Sequence, residues 1–444
     1  MGRVLLQGGC VLSLDKHVGN LRDADVLIDG DRVAEVGRGL KVRDAEVIEV
    51  TDAIVMPGFV DTHRHAWKTL LRNAGGADPG PGRAIAEAYG PHLAPDDVYA
   101  ATLVGLLGAI ETGITTVVDW ADIPPGERFR EASLQAHADA GLRTVFIHAV
   151  PDWARDAVDA DAALRRLAAD ADALVGPAVS VGFGPADPTV GAIDRVGREW
   201  SLARDLGLRI HTHVGTDRSG RGIVAELAGR GLLGDDVTLV HGTHLADDDL
   251  DAIASHGAGV SLAPTNEMTA GLGPPPLQRL IDRDIRPGLG VDDEVVTPGD
   301  LFAQMRATQS VQHATVFDRK LAGKAGLPHL LSTREVIRYA TVDGARVAGL
   351  TEVTGSLRPG KQADLVVLRT DRPNIAPVND PIGAVVWGMD ASNVSWVFVG
   401  GRPLLRDGVL EADVARARTL ALTARDRVAT AVGDLVETGD GGPR

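Results

Sequence analysis

The sequence has little cysteine and little lysine for its 444 residues. The single cysteine, Cys10, excludes an internal disulfide framework and a zinc site built from several cysteines. There are only six lysines, and none lies between Lys68 and Lys320, so nearly all positive charge is arginine. The formal net charge is −16. This acidity argues against a nucleic-acid or anionic-membrane partner, because both require a basic protein surface.

Long apolar segments are also missing. No run of about 18 apolar residues occurs, so we expect no transmembrane helix and no membrane partner. The apolar stretch at residues 4–14 is interrupted by Gly8-Gly9 and predicts a first β-strand rather than an export signal. We therefore expect a cytoplasmic protein that acts on a small molecule, and we leave open whether it forms a homo-oligomer.

The two ends of the chain share a pattern of short strands and turns. Strand-like runs fill residues 1–56 and recur in residues 357–410, for example at 384–387 and 394–399. We therefore expect the two ends to form one β-sandwich subdomain. A helix and a tail are expected over residues 411–444.

Residues 57–356 have a different pattern, in which short apolar runs alternate with helical stretches. Eight such runs are present, which is typical of a parallel barrel rather than a doubly wound sheet. They lie at residues 54–60, 114–118, 143–149, 179–183, 208–214, 237–240, 259–262 and 286–290. The sequence thus predicts an α/β fold, a distorted (β/α)8 TIM barrel beside the β-sandwich subdomain.

Histidines gather where three of these predicted strands end. Six of the 13 histidines lie there in three pairs: His63 and His65, His211 and His213, His241 and His244. Side chains two residues apart on a strand point the same way, and a barrel brings the carboxyl ends of its strands to one mouth. Asp292, at the end of the eighth run, adds a carboxylate. Imidazole and carboxylate groups converging in this way predict a site for a first-row divalent metal.

These segments resemble the amidohydrolase superfamily, and especially its branch of deaminases and chlorohydrolases that act on triazines, guanine and adenosine derivatives. The resemblance runs from the first barrel strand to about residue 405. Its main motifs are Met56-Pro57-Gly58-Phe59-Val60-Asp61-Thr62-His63-Arg64-His65, His211-Thr212-His213, Val240-His241-Gly242-Thr243-His244-Leu245 and Gly288-Leu289-Gly290-Val291-Asp292. It implies a metal-dependent hydrolase.

The resemblance also implies a ligand set and a catalytic pair. The implied metal ligands are His63, His65, His213 and Asp292. The metal expected there is zinc, with iron as the alternative. Asp292 would also accept a proton from the attacking water, and His241 would contact that water or the developing oxyanion.

We expect one metal in each chain. Two-metal members of the superfamily usually bridge their metals with a carboxylated lysine or a glutamate on the fourth strand. The fourth run here, residues 179–183, has neither residue type, and no lysine occurs anywhere in strands two to eight.

Thr216 departs from the pattern of the deaminases, which usually carry a proton-shuttling glutamate at this position. Threonine is neither a general acid nor a general base near neutral pH, so protonation of the leaving group would fall to Asp292, His241 or Asp217. Three interpretations stay open. The first is hydrolysis of a C–N bond in a small cyclic or heterocyclic substrate, by deamination or by amide or amidine hydrolysis. The others are dechlorination and a diverged, non-hydrolytic or ligand-binding role.

Other side chains near the predicted strand ends are candidates for substrate contacts. Tryptophans at a barrel mouth suit a flat ring, because aromatic faces stack on rings; ordinary loop packing is the alternative. The candidates are Trp67, Asp119, Trp153, Thr216 and Asn266.

Overall fold

The computed structural model describes residues 2–74, 82–174, 178–189 and 193–432. Five strands precede the barrel: β1 (Arg3–Leu12), β2 (Asn20–Asp29), β3 (Arg32–Gly37), β4 (Ala45–Glu49) and β5 (Ala53–Pro57). The pairing of β1 with β2 shifts register on both sides of Gly9. β1 also changes its parallel neighbour at this irregularity. Residues 3–7 pair with β4, and Cys10 and Val11 pair with β5.

Eight parallel strands then form the barrel, and they lie side by side in chain order. They are β6 (Phe59–Arg64), β7 (Ile114–Ala121), β8 (Arg143–Ala149), β9 (Val179–Gly184), β10 (Arg209–Val214), β11 (Val237–His241), β12 (Gly259–Leu262) and β13 (Gly288–Leu289). The predicted barrel is confirmed. Asp292 joins the first and last strands: its peptide N–H donates to the His63 carbonyl at 2.8 Å, and its carbonyl accepts from the His65 N–H at 2.8 Å.

Helices connect and cover the barrel strands. They are α1 (Gly82–Tyr89), α2 (Pro95–Glu111), α3 (Glu127–Ala140), α4 (Ala160–Leu174), α5 (Ile193–Asp205), α6 (Ile223–Gly229), α7 (Asp247–His256), α8 (Pro264–Thr269), α9 (Leu277–Ile281), α10 (Leu301–Leu321), α11 (Thr333–Tyr339), α12 (Val342–Val347), α13 (Pro381–Gly383) and α14 (Val414–Val432). A 3-10 helix, Ala66–Leu71, follows β6 directly. Within the described ranges, we find no helix with the length and apolarity needed to cross a bilayer.

Four strands near the end of the chain complete the terminal sheet: β14 (Leu365–Arg369), β15 (Val394–Val399), β16 (Arg402–Arg406) and β17 (Val409–Leu410). β14 pairs antiparallel with β5, so the two chain ends form one sheet in the order β17-β16-β15-β14-β5-β1-β2-β3, with β4 beside β1.

The terminal sheet lies between two cores. Ile54 and Met56 of β5 pack into the barrel core, whereas Val55 between them packs into a separate core of the terminal sheet. This alternation is the period of two that a strand buried on both faces shows. A buried ion pair also joins the two parts, because the Arg143 guanidinium of β8 donates to both Asp364 oxygens at 2.6 and 3.1 Å.

Two predicted strands were wrong. Residues 54–60 are not one barrel strand, because the run divides at Gly58 into β5 of the terminal sheet and β6 of the barrel. A Cβ at Gly58 would lie 2.1 Å from Thr115 Cγ2, so this crossing needs glycine. Residues 384–387 were predicted as a strand but form part of a π-helix, Ala384–Gly388. The prediction failed because a short apolar run does not by itself distinguish a strand from a helix. Of the expected C-terminal helix and tail, α14 is present and residues 433–444 lie outside the described ranges.

Candidate active site

Three histidines and one aspartate converge at the carboxyl ends of β6, β10 and β13. His63 Nε2 lies 3.1 Å from His213 Nε2 and 3.6 Å from Asp292 Oδ1. His65 Nε2 lies 3.4 Å from the same Asp292 oxygen. His63, His65 and Asp292 are buried, and His213 is half-buried. These four side chains are the ones that the resemblance to the amidohydrolase superfamily implied as metal ligands.

The chemistry of these groups fits a divalent cation. Burial, together with the neighbouring imidazoles, lowers the pKa of His63 to about 4 and that of His213 well below its ordinary value. Both rings are therefore neutral near pH 7, and a neutral imidazole nitrogen is a metal ligand. The two facing Nε2 atoms are 3.1 Å apart, and a cation bound by both would replace the proton that one shares with the other. Among the residues that the structure describes, ligand atoms within 4.8 Å of one another form two groups: His63 with His65 and Asp292, and His63 with His213 and His241.

Partners on the far side of two imidazoles set their orientation. His65 Nδ1 lies 2.8 Å from Asp122 Oδ1, which also accepts a 2.6 Å hydrogen bond from Trp67 Nε1. His63 Nδ1 lies 3.1 Å from His211 Nε2. Such outer contacts fix the ring and the tautomer of a metal-binding histidine. Sequence reasoning missed Asp122, whose only signal was its place directly after β7.

His241 lies beside this cluster at the end of β11. Its Nε2 is 3.5 Å from Asp292 Oδ2, and its Nδ1 is 3.2 Å from Glu267 Oε1. Burial alone would lower the pKa of His241, but the hydrogen bond to Glu267 and the charge of Asp292 raise it above its ordinary value. Burial likewise opposes ionisation of Asp292, yet the surrounding histidines hold its pKa well below the usual range.

His241 and Asp292 share a costly backbone conformation. Both residues have a backbone φ of 70°. This lies in the left-handed region, which residues other than glycine seldom adopt. Such strain concentrates at functional sites, where the surrounding structure enforces it. Here the strained backbone occurs at His241 and Asp292, the predicted catalytic pair, where β11 ends and just after β13 ends.

A buried arginine braces the segments that carry His63, His65 and Asp292. Arg64 is 1% exposed, and it donates to Asp61 Oδ2 at 2.8 Å and to Glu294 Oε1 at 2.5 Å. Asp61 Oδ1 in turn accepts from the Val291 N–H at 3.0 Å. The first and last barrel strands are thus held together by charge as well as by backbone hydrogen bonds.

The candidate substrate residues do not all lie at this centre. Trp67 is buried and held by Asp122. Thr216 is half-buried in the turn after β10, and Asn266 is buried in the first turn of α8. Trp153, 37% exposed, lies outside the cluster in the 3-10 helix Asp152–Ala157, where its Nε1 faces Gly90.

Asp119 and its neighbour Trp120 face opposite sides of β7. Asp119 is 1% exposed, and its two oxygens are bound by the Ala66 N–H and by His137 Nε2, each at 2.8 Å. Asp119 therefore braces β7 against α3 and the 3-10 helix, with a protein partner on each carboxylate oxygen. Trp120 points inward instead, with its ring centroid 4.5 Å from that of His213.

Asp217, which the sequence left as an alternative acid, points away from the centre. It is exposed, and its Oδ1 accepts from the Ser219 N–H at 2.7 Å, capping a short 3-10 helix.

The comparison with known families bears directly on this arrangement. A model of the amidohydrolase family matches residues 54–404. The chain belongs to the amidohydrolase family. The match begins in β5 and ends in β16, so it spans the whole barrel and the central strands β5, β14 and β15 of the terminal sheet.

Similar proteins are named as deaminases. The chain is 30% identical over 411 residues to a 5'-deoxyadenosine deaminase of Methanothermobacter thermautotrophicus, covering 88% of this chain and 92% of that protein. It is 29% identical over 402 residues to a 5-methylthioadenosine/S-adenosylhomocysteine deaminase of Thermococcus kodakarensis, covering 86% of this chain and 89% of that one.

Solved structures share the fold. A zinc-bound adenosine deaminase from Xanthomonas campestris superimposes with a TM-score of 0.82 at 23% identity, covering 96% of this chain and 98% of that one. A zinc complex of atrazine chlorohydrolase from Arthrobacter aurescens TC1 gives a TM-score of 0.77 at 23% identity, with 95% and 100% covered.

Proposed function

We propose that this amidohydrolase is a deaminase of a small purine nucleoside related to adenosine. We propose one divalent metal per chain, zinc in the first instance, with His63, His65, His213 and Asp292 as its ligands. The observation that carries the proposal is the convergence of these four side chains, with His241 beside them, in a chain whose similar relatives deaminate adenosine derivatives. We expect the protein to act in the cytoplasm.

Lewis acidity from the metal would make water a nucleophile near neutral pH. Asp292 directs Oδ1 toward His63 and His65, and Oδ2 toward His241. One carboxylate oxygen is therefore placed to accept a proton from water. His241 Nε2 lies 3.5 Å from that oxygen, and the proton would pass to it. The two residues together would carry the proton toward the departing nitrogen.

Trp120 and Trp67 are the aromatic side chains best placed to meet a flat ring. Trp120 packs edge-on against His213, and Trp67 is anchored through Asp122 to His65. We assign ring contact to these two tryptophans, and we retain Thr216 and Asn266 as candidates for polar substrate contacts. We do not assign substrate contacts to Trp153 or Asp119. Trp153 packs on Gly90, and each carboxylate oxygen of Asp119 already has a protein partner.

Thr216 favours a second candidate, the hydrolytic displacement of a leaving group that needs no proton. Ammonia leaves well only when its nitrogen is protonated, whereas chloride leaves as the anion. A site without an acid at this position would therefore handle a 6-chloropurine ring more readily than a 6-aminopurine ring.

One experiment tests both candidates. The zinc-loaded chain is assayed with 5'-deoxyadenosine for ammonia and with its 6-chloropurine counterpart for chloride, using Asp292→Asn as the inactive control. Deamination predicts ammonia release that the control lacks. Chloride release with no ammonia would favour the second candidate. If no ammonia forms from a panel of 5'-substituted adenosines and no chloride forms from their 6-chloropurine counterparts, the proposed substrate class is wrong.

A further inference from the structure

A second carboxylate is buried behind His241. Glu267, in the first turn of α8, is fully buried. Its Oε1 accepts a 3.0 Å hydrogen bond from the Ala263 N–H and lies 3.2 Å from His241 Nδ1. Its Oε2 has no hydrogen-bond partner among the residues that the structure describes. A buried acidic group with one unpaired oxygen is expensive, which calls for a reason beyond packing.

The contacts of Glu267 determine which atom carries the proton between it and His241. Oε1 already accepts from a peptide N–H, and a proton on Oε2 would have no acceptor. Glu267 therefore accepts at Oε1, and His241 donates from Nδ1. With Nδ1 held in this way, the other ring nitrogen, Nε2, faces Asp292 Oδ2 at 3.5 Å.

We propose that Glu267 is a positioning residue that accepts a hydrogen bond from His241 Nδ1 and so holds Nε2 toward the reaction centre. The inference rests on the proposed function only in naming the reaction that uses His241. It places a glutamate behind His241 in a chain that has Thr216 where the deaminases usually carry one.

Helix capping alone does not account for Glu267. Glu335 shows the capping role by itself: it accepts from the Ser332 N–H at 2.9 Å at the start of α11 and pairs with His329 at 3.1 Å. Glu335 does this while half-buried at the surface, whereas Glu267 is fully buried and its histidine belongs to the centre. Glu335→Gln is therefore the matched control for Glu267→Gln.

The first test reads the His241 tautomer directly. The zinc-loaded full chain is labelled with nitrogen-15 histidine, and the His241 signals are assigned by their loss in His241→Gln. We expect a protonated Nδ1 in the native chain and in Glu335→Gln. In Glu267→Leu, which removes the acceptor, we expect the proton to be shared with or moved to Nε2. A native His241 with a bare Nδ1, or a Glu267→Leu spectrum like the native one, would overturn the proposal.

The second test separates positioning from metal binding and from fold. Glu267→Gln keeps an acceptor oxygen but removes the charge, so we expect kcat to fall about 10–100-fold with KM within about threefold and zinc content unchanged. Glu335→Gln should stay within about twofold of the native kcat. Loss of zinc in Glu267→Gln, or a kcat equal to that of the control, would contradict the proposal. If the native chain proves inactive on every nucleoside tried, the proposed function fails and the tautomer experiment still decides the role of Glu267.

Discussion

Single side chains in this protein act through the atoms that face them on neighbouring strands. His63 is the clearest case, since one ring nitrogen faces His211 and the other faces His213. The same ring would serve as a metal ligand on one side and be held by a second imidazole on the other. Two predictions follow from the directions of these nitrogen and oxygen atoms.

Changing His213 to Ala should remove most of the bound metal. The substitution deletes one of the four proposed ligands and would leave an open, weaker site. Zinc per chain is measured after dialysis, with His244→Ala as the control, because His244 also follows a barrel strand but its ring lies near Gly273. The native chain and the control should each hold one equivalent. Two equivalents per native chain would contradict the single-metal proposal.

Thr216→Ala should cost less than about tenfold in kcat, because the hydroxyl contributes at most a hydrogen bond. Asp292→Asn should lose essentially all turnover, since an amide does not accept a proton from water and ligates metal poorly. Removing a working general acid or base costs about 10²–10⁴-fold. kcat is compared at equal metal occupancy. Equal losses in the two variants would show that Thr216 takes part directly in the chemistry.

At the scale of elements, buried carboxylates fasten the ends of helices to one another. Asp249, fully buried near the start of α7, is the strongest example. Its Oδ1 accepts from the Val224 and Ala225 N–H groups of α6 at 2.9 and 3.1 Å. Its Oδ2 accepts from the Gly222 and Ala246 N–H groups at 2.7 and 2.9 Å. One side chain thus satisfies unpaired donors at the start of two helices, as capping requires.

Asp249→Ala should lower the free energy of unfolding by about 3 kcal/mol, because it leaves several buried N–H donors without an acceptor at once. Asp300→Ala is the comparison, since Asp300 caps α10 through the Ala303 N–H alone, at 2.7 Å; its cost should be about 1 kcal/mol. Urea unfolding measures both, and zinc content should not change in either. Similar losses in the two variants would contradict the account of Asp249.

At the scale of the whole molecule, the terminal sheet and the barrel share a core and an ion pair. β5 and β14 bury one face on the barrel, and Arg143 of β8 reaches Asp364 just before β14. Asp364 Oδ1 also accepts from the Gly400 N–H at 2.8 Å, which ties in the turn after β15. We therefore expect the two parts to unfold together rather than one after the other.

Arg143→Met should lower the free energy of unfolding by about 3–5 kcal/mol, because it leaves the Asp364 carboxylate buried without its cation. Thermal unfolding followed by calorimetry should show one transition at a lower midpoint. Arg230→Met is the control: it breaks surface pairs with Asp194 (2.9 Å) and Glu226 (3.0 Å) and should leave the midpoint nearly unchanged. Two separate transitions in the native chain would disprove the joint unfolding of sheet and barrel.

Local pattern alone determined the barrel and the side chains that converge at its mouth. His63 and His65 follow an apolar run, and other histidines end later runs in the same way. Side chains two residues apart on a strand point in the same direction, and a parallel barrel brings the carboxyl ends of its strands together. Only the tertiary structure decided the outer contacts. Asp122 and Glu267 are separated in sequence from His65 and His241, so no local period marks them. The tertiary structure also decided that Asp119 faces a helix while Trp120 faces the centre. Neighbouring residues on a strand point to opposite faces, and only the packing of the whole barrel determines which face is inside.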